Sequence, residues 1–138
     1  MLSRDDIQKF IAANRYGVVA TNSASGAPES AIVGVAATMA LELVFDTTDS
    51  TRKIANLRRD PNVSAVIGFT DEGTLQYEGV ADEPTGEDLA RIQHVYFEAF
   101  PDGPSRLTWA GITYVRVRPS WLKFTSYTDP AKNTEMVF

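Results

Sequence analysis

Thr48, Ser50, Thr51, Arg52 and Lys53 bring three hydroxyls and two cations together between positions 48 and 53. After them, Ile54 and Leu57 fall on one helical face, and Pro61 disfavours helical geometry at Asp60. This spacing predicts a short helix with Asp49 or Ser50 as its cap and Arg52 and Lys53 in its first turn. A helix N-terminus carries about half a positive charge, so a cation there costs roughly a few tenths of a kcal/mol unless an anion reverses the sign. Free backbone N–H groups, hydroxyls and two cations are what a phosphate cradle requires. The alternative is a solvated polar turn in which the cations pair with Asp46 and Asp49.

Other chemistries have less to work with. The chain contains no cysteine, which excludes disulfides, thiolate catalysis and cysteine-ligated metals and fits a reducing compartment. Its one histidine, His94, lies among Ile92, Gln93 and Val95 in an amphipathic pattern and is expected at the surface, so a zinc site is not expected and heme ligation would rest on His94 alone. Glu42, Asp46 and Asp49 are expected to be solvated or paired to Arg52 and Lys53, with no catalytic role. Trp109, Trp121, Phe124 and Tyr127 suit core or dimer packing. Arg116 and Arg118 share a strand face and suit an interface or an acidic substrate.

The formal net charge of −5 argues against a nucleic-acid partner, and Arg52, Lys53, Arg58 and Arg59 form only a local cluster that suits a small phosphorylated ligand. No apolar run approaches the roughly 18 residues of a membrane span, and Met1 to Asn14 lacks a signal-like core. The expectation is a cytoplasmic protein without a membrane partner. With 138 residues, 43% hydrophobic and 22% charged, it reads as one globular domain over residues 1–138.

Several elements must position the cluster. Ser3 caps a first helix that has Asp6 at its third position, Leu2 stapled onto Ile7, an apolar stripe of Ile7, Phe10 and Ile11, and an end near Asn14. Strands are expected over Tyr16–Thr21, Glu29–Ala36 and Leu41–Thr47, the first two joined by an Asn22–Pro28 turn, and short connections make the three an antiparallel meander. Asn62–Phe69 and Thr74–Ala81 form a hairpin about Asp71-Glu72-Gly73, with Gly79 marking a bulge or a close approach. Thr85 caps a second long helix carrying Leu89, Ile92, Tyr96 and Ala99 or Phe100 inward, which stops at Pro101–Pro104. Ser105–Gly111 reads as irregular, Ile112–Arg118 as a strand interrupted by Pro119, Trp121–Tyr127 as an edge strand, and Thr128–Phe138 as a polar tail, partly disordered or crossing onto a partner. The fold class is mainly β, an antiparallel six- to seven-stranded barrel with flanking helices; the missing strand–helix alternation and the lack of a Gly-x-Gly-x-x-Gly motif exclude a Rossmann fold.

Gly17-Val18-Val19-Ala20-Thr21, the turn Gly26-Ala27-Pro28, Phe45-Asp46-Thr47, and Ser50-Thr51-Arg52-Lys53-x-x-Asn56-Leu57-x-x-Asp60-Pro61-x-Val63 follow one another in an order that resembles the FMN-binding split-barrel family related to pyridoxamine 5′-phosphate oxidase. Gln76-Tyr77-Glu78-Gly79-Val80-Ala81 and Tyr114-Val115-Arg116-Val117-Arg118-Pro119 fit as well, so the likeness spans most of residues 4–126. It implies a split barrel that forms a homodimer, with FMN between protomers. By that resemblance, Ser50, Thr51, Arg52 and Lys53 hold the phosphate, Ala31, Ile32 and Val33 with Phe45, Asp46, Thr47 and Thr48 line the ribityl chain and ring, and Gln76 reaches the ring's polar edge.

Pyridoxamine-phosphate oxidases close with a tryptophan-containing strand plus an arginine and a histidine for the substrate, whereas here Trp121 is followed by Lys123, Lys132 and no histidine. The implied activity is therefore an FMN-dependent oxidoreductase with a small-molecule substrate or electron donor other than that vitamin. The alternatives are a deazaflavin-dependent reductase, with Arg58 or Arg59 as added cations, or a non-catalytic flavin- or heme-binding dimeric module.

Overall fold

Strict alternation of buried and exposed residues builds the sheet: along Gly73–Asp82, Leu75 and Tyr77 turn inward while Gln76 and Glu78 face out. The computed structural model describes residues 2–127 and 132–138. Its elements are α1 (Arg4–Asn14), β1 (Tyr16–Asn22), β2 (Pro28–Gly34), β3 (Ala36–Ala37), β4 (Leu43–Thr48), α2 (Arg52–Arg59), β5 (Asn62–Thr70), β6 (Gly73–Asp82), α3 (Gly86–Ala99), a 3-10 turn (Gly103–Arg106), β7 (Ile112–Ser126) and β8 (Lys132–Val137). All strand pairs are antiparallel, in the order β2-β1-β5-β6-β7-β4-β3, with β8 beside β7. The result is a curled, half-closed barrel with three flanking helices.

Its interior holds Val19, Leu43, Phe45, Ile67, Leu75, Val117 and Leu122 from the strands, Ile7 and Ile11 from α1, Ile54 from α2, and Ile92 and Tyr96 from α3. Each such large side chain contributes roughly 1.5–3 kcal/mol by leaving water. The capping box at Ser3 and Asp6 forms as expected, with Ser3 Oγ accepting from the Asp6 N–H at 3.1 Å and Asp6 from the Ser3 N–H at 2.9 Å.

Long-range pairing changes four expectations. The strand expected over Glu29–Ala36 breaks at Val35: its N–H still donates to Arg15 O in register with β1, but beyond it β3 pairs with β4 instead. The three strands are therefore no meander: β1 lies between β2 and β5, while β4 lies between β3 and β7. Pro119 does not interrupt β7, because Gly79 pairs with Pro119 and Glu78 with Trp121, leaving Ser120 as the extra residue of a bulge. Gly79 is required by close approach, since a Cβ there would collide with Arg118 O. Finally, the part of the tail over Lys132–Val137 is a strand on β7 of its own chain rather than a disordered or crossing segment, with Trp121 opposite Val137 and Ser126 opposite Lys132; positions 128–131 lie outside the described residues.

Two buried polar contacts tie the barrel together. Tyr77 donates its hydroxyl to Leu41 O at 2.7 Å and approaches Val117 O at 3.1 Å, holding Leu41 in a left-handed conformation (φ 63°) that a branched side chain adopts only at a cost. Arg116, nearly inaccessible, forks onto Asp82 at 2.9 and 2.6 Å and lies near Glu42 and Asp88, so one cation on β7 joins β6, the residue before β4 and the start of α3. That pairing uses Arg116 inside the fold, while Arg118 stays exposed.

Tyr77→Phe removes the donor from a buried carbonyl and is expected to cost about 1–3 kcal/mol in denaturant unfolding; no loss would show that Leu41 is held by packing alone. Asp82 is held below its ordinary value of 3.8, chiefly by the hydrogen bonds from Arg116. A depressed carboxylate contributes stability above its unfolded pKa and loses it as pH falls through the folded value. The stability gap between wild type and Asp82→Asn should therefore be full near neutral pH and shrink below about pH 4; a gap constant down to about pH 2 would contradict the linkage.

Candidate functional site

The end of β4 delivers Thr47 and Thr48 to a tight turn, and Thr51, in extended conformation (φ −79°, ψ 153°), is the N-cap of α2 in place of Asp49 or Ser50. Its side chain caps nothing: Thr51 Oγ1 donates back to Thr48 O at 3.0 Å and lies 3.3 Å from Thr47 Oγ1, while Ser50 Oγ lies 3.2 Å from Thr48 Oγ1. The hydroxyls thus knit the turn. The first turn of α2 has no acidic residue and no side-chain cap, so its N–H groups and dipole remain available to an anion.

Neither aspartate expected to neutralise Arg52 and Lys53 forms an ion pair with them among the described residues. Asp46 accepts from Tyr96 Oη at 2.9 Å and from Arg106 Nε at 2.7 Å, and Arg106 also binds Asp102. Asp49 donates its N–H to Gly111 O at 2.8 Å and lays its carboxylate on Gly111, whose positive φ of 74° and crowded Cβ position require glycine. Arg52 pairs instead with Glu29 at 3.0 Å. Lys53 has no carboxylate partner among the described residues, and partial burial lowers its ammonium pKa from 10.5.

A notch of about 50 Å³ at this point is lined by Thr21, Glu29, Ser30, Ala31, Arg52 and Lys53. It admits a small charged group rather than a whole cofactor. Two of the lining residues are held by Asn56, a buried amide whose Nδ2 donates to Thr21 Oγ1 at 3.0 Å and to Glu29 Oε1 at 2.8 Å. Glu29, Thr21 and Asn56 were absent from the sequence-derived site. Their contacts span 27 and 35 residues, which no spacing rule registers, although Thr21 and Asn56 both stand inside the motifs quoted above.

The remaining expected residues divide between two places. Ala31 borders the notch, Val33 and Phe45 are buried, and Thr47 and Thr48 are half-buried at the end of β4. Ile32, 65% exposed, and Gln76 lie on the opposite, outer face of the sheet. Register places Ile32, Val18, Val66 and Gln76 in one row across β2, β1, β5 and β6, about 14 Å from end to end at the usual strand spacing. That face carries two adjoining clefts of about 350 and 220 Å³ that share Ser64 and Glu78, the second also lined by Gln76 and Trp121. His94 is at the surface as expected, its side chain 75% exposed and paired with Glu98. Phe124 joins the core and Trp121 is half-buried, whereas Trp109 and Tyr127 are exposed. Among the described residues no three His, Asp or Glu side chains gather as metal ligands, and no helix is long and apolar enough to cross a membrane.

Comparison with known proteins yields fold and family. The chain superposes on a heme binding protein from Mycobacterium smegmatis with a TM-score of 0.82 at 19% identity, covering 99% of this chain and 59% of that one. A conserved hypothetical protein from Mycobacterium tuberculosis gives 0.78 at 23% identity, covering 94% and 88% of the two chains. The heme storage protein HutZ from Vibrio cholerae gives 0.74 at 16%, covering 99% and 95%. At these identities the likeness establishes the fold, and the chain spans under two thirds of the Mycobacterium smegmatis protein. No curated protein matches the sequence. The sequence pattern of the pyridoxamine 5′-phosphate oxidase family, however, matches residues 3–121, and the chain belongs to that family.

Proposed function

We propose that the protein binds FMN by its phosphate at the start of α2 and acts as an FMN-dependent oxidoreductase in a homodimer. The observation that carries this reading is the uncapped first turn of α2 beside a half-buried lysine with no carboxylate partner among the described residues. Lys53 and the free N–H groups of α2 would hold the phosphate, and Thr47 and Thr48 stand beside it for the ribityl hydroxyls. β2 is an edge strand, with β1 on one side and no strand on the other among the described residues. Alternation along β2 turns the backbone groups of Ile32 to that open side, free to meet the polar edge of a planar ring, whereas Ala31 and Val33 pair with Val19 and Gly17 on β1. Bound FMN would supply a ring that takes up a hydride and passes electrons on. Gln76, on the outer face, suits the site of a second protomer, and the exposed Ile32, Val66 and Val80 on that face support a dimer.

A heme-binding role is favoured by the names of two structural relatives. On this chain it has only His94 as an imidazole, exposed and tied to Glu98. The deazaflavin reading is weakened because its added cations are already engaged: Arg58 forks onto Glu83 at 2.9 Å, and Arg59 donates to Asn22 O and Asn56 Oδ1.

FMN titrated into the purified protein should bind with a perturbed flavin spectrum; no binding at about tens of micromolar, the range of a weak specific site, would overturn the proposal, and a Soret band with added heme in its place would establish the second reading. Lys53→Ala should weaken FMN binding by about 1.5–3 kcal/mol, the worth of a hydrogen bond to a charged group. Only the ammonium form of Lys53 pairs with phosphate, and its pKa lies below 10.5 in the free protein. FMN affinity should therefore fall as pH rises toward that value, and Lys53→Arg should abolish the fall; identical alkaline profiles would take Lys53 out of the site. Steady oxidation of a nicotinamide donor with an acceptor present separates an enzyme from a binding module.

A further inference from the structure

Glu29 stands inside the cradle, where its negative charge opposes the phosphate just assigned to it. Its placement is built rather than incidental. The side chain is 22% exposed, with Oε1 accepting from the buried amide of Asn56 at 2.8 Å and Oε2 lying 3.0 Å from Arg52 Nη1. Asn56 is in turn held by Thr21 Oγ1 on one side and by Arg59, which donates to its Oδ1 at 3.0 Å, on the other. Arg52 is the movable partner: its side chain is 71% exposed and its long stem can swing the guanidinium between two acceptors. Formally, two cations and one carboxylate leave the notch with a single net positive charge, to be set against a phosphomonoester of about −1.5 to −2 near neutral pH.

We infer that Glu29 is a specificity-determining residue of this site: it competes with the ligand's phosphate for Arg52 and lowers the positive charge of the notch, so that the phosphorylated ligand is held exchangeably rather than permanently. This rests on the phosphate-binding reading above. In the free protein Arg52 is satisfied by Glu29. On entry of a phosphate, Arg52 must be shared between two anions, and Glu29 remains within Coulomb range of the newcomer. Lys53, which has no such competitor, carries the attraction.

Flavin fluorescence titrations with FMN and with riboflavin, which lacks the phosphate, test this in wild type, Glu29→Gln, Arg52→Gln and the double variant, with thermal unfolding confirming that each is folded. Glutamine keeps an acceptor for Asn56 and removes the charge. Glu29→Gln should tighten FMN by about tenfold, the order expected for deleting one partly screened like charge at this range, and leave riboflavin unchanged. Arg52→Gln should weaken FMN more when Glu29 is present than in the Glu29→Gln background, because Glu29 is then unshielded. Unchanged or weaker FMN binding in Glu29→Gln, or equal shifts for FMN and riboflavin, would overturn the competition and leave Glu29 a structural partner of Asn56. If FMN binds neither wild type nor Glu29→Gln, the phosphate-binding reading itself fails, and this inference with it.

Discussion

One buried amide determines where the short helix can sit. Asn56 projects from α2 into the barrel and satisfies both donor positions on groups of the first hairpin, Thr21 on β1 and Glu29 on β2. A buried amide without partners is costly, so α2 has one docking position rather than a range of them. Arg52 and Lys53 stand four and three residues earlier, one turn up the same helix, and are thereby brought over the end of β2. The apolar contacts of Ile54 and Leu57 supply the energy of that docking, and Asn56 supplies its register.

Electrostatics then divides the acidic residues among separate tasks. Asp46 and Asp82, close to the helices by sequence or pairing, are each committed to an arginine, Arg106 and Arg116 respectively. Arg106 lies little exposed between Asp46 and Asp102, and its guanidinium is held charged above its usual range mainly by the hydrogen bond to Asp46. Burial pushes the hydroxyl pKa of Tyr96 up, with Asp46 adding to the effect, so Tyr96 remains a proton donor to that carboxylate. This network fastens α3 and the 3-10 turn to β4. It also withdraws Asp46 from the cations of α2, which is why the start of that helix stays short of negative charge.

Much of this was legible in the chain because the governing forces are local. Alternation disclosed most strands, Ser3 and Asp6 disclosed the first cap, and Arg52 and Lys53 at the head of a helix disclosed an electrostatic anomaly. What escaped depends on partners remote in sequence. The chain divides at Val35 because the residues before it pair with β1 and those after it with β4; Pro119 fits within β7 because Ser120 bulges opposite Gly79; and Lys132–Val137, polar enough to pass for a tail, is ordered by the second half of β7. The same holds for the site. Its cations were visible as a run, whereas Glu29 joins them only through a cross-barrel contact. Thr51 stands in the cap position expected for Asp49 or Ser50, and the Asp49 N–H donates instead to the remote Gly111 O.

β7 is long enough to serve two neighbours on one side, β4 along its first half and β8 along its second. Without β8, the stretch from Trp121 to Ser126 would present an unpaired row of amides and carbonyls carrying aromatic side chains, the kind of border that recruits strands from other molecules. Lys132 and Glu135 place charge on the strand that covers it. The strand over Lys132–Val137 thus moves the open border of the sheet from an aromatic stretch to a charged one, the composition that discourages pairing with a further strand.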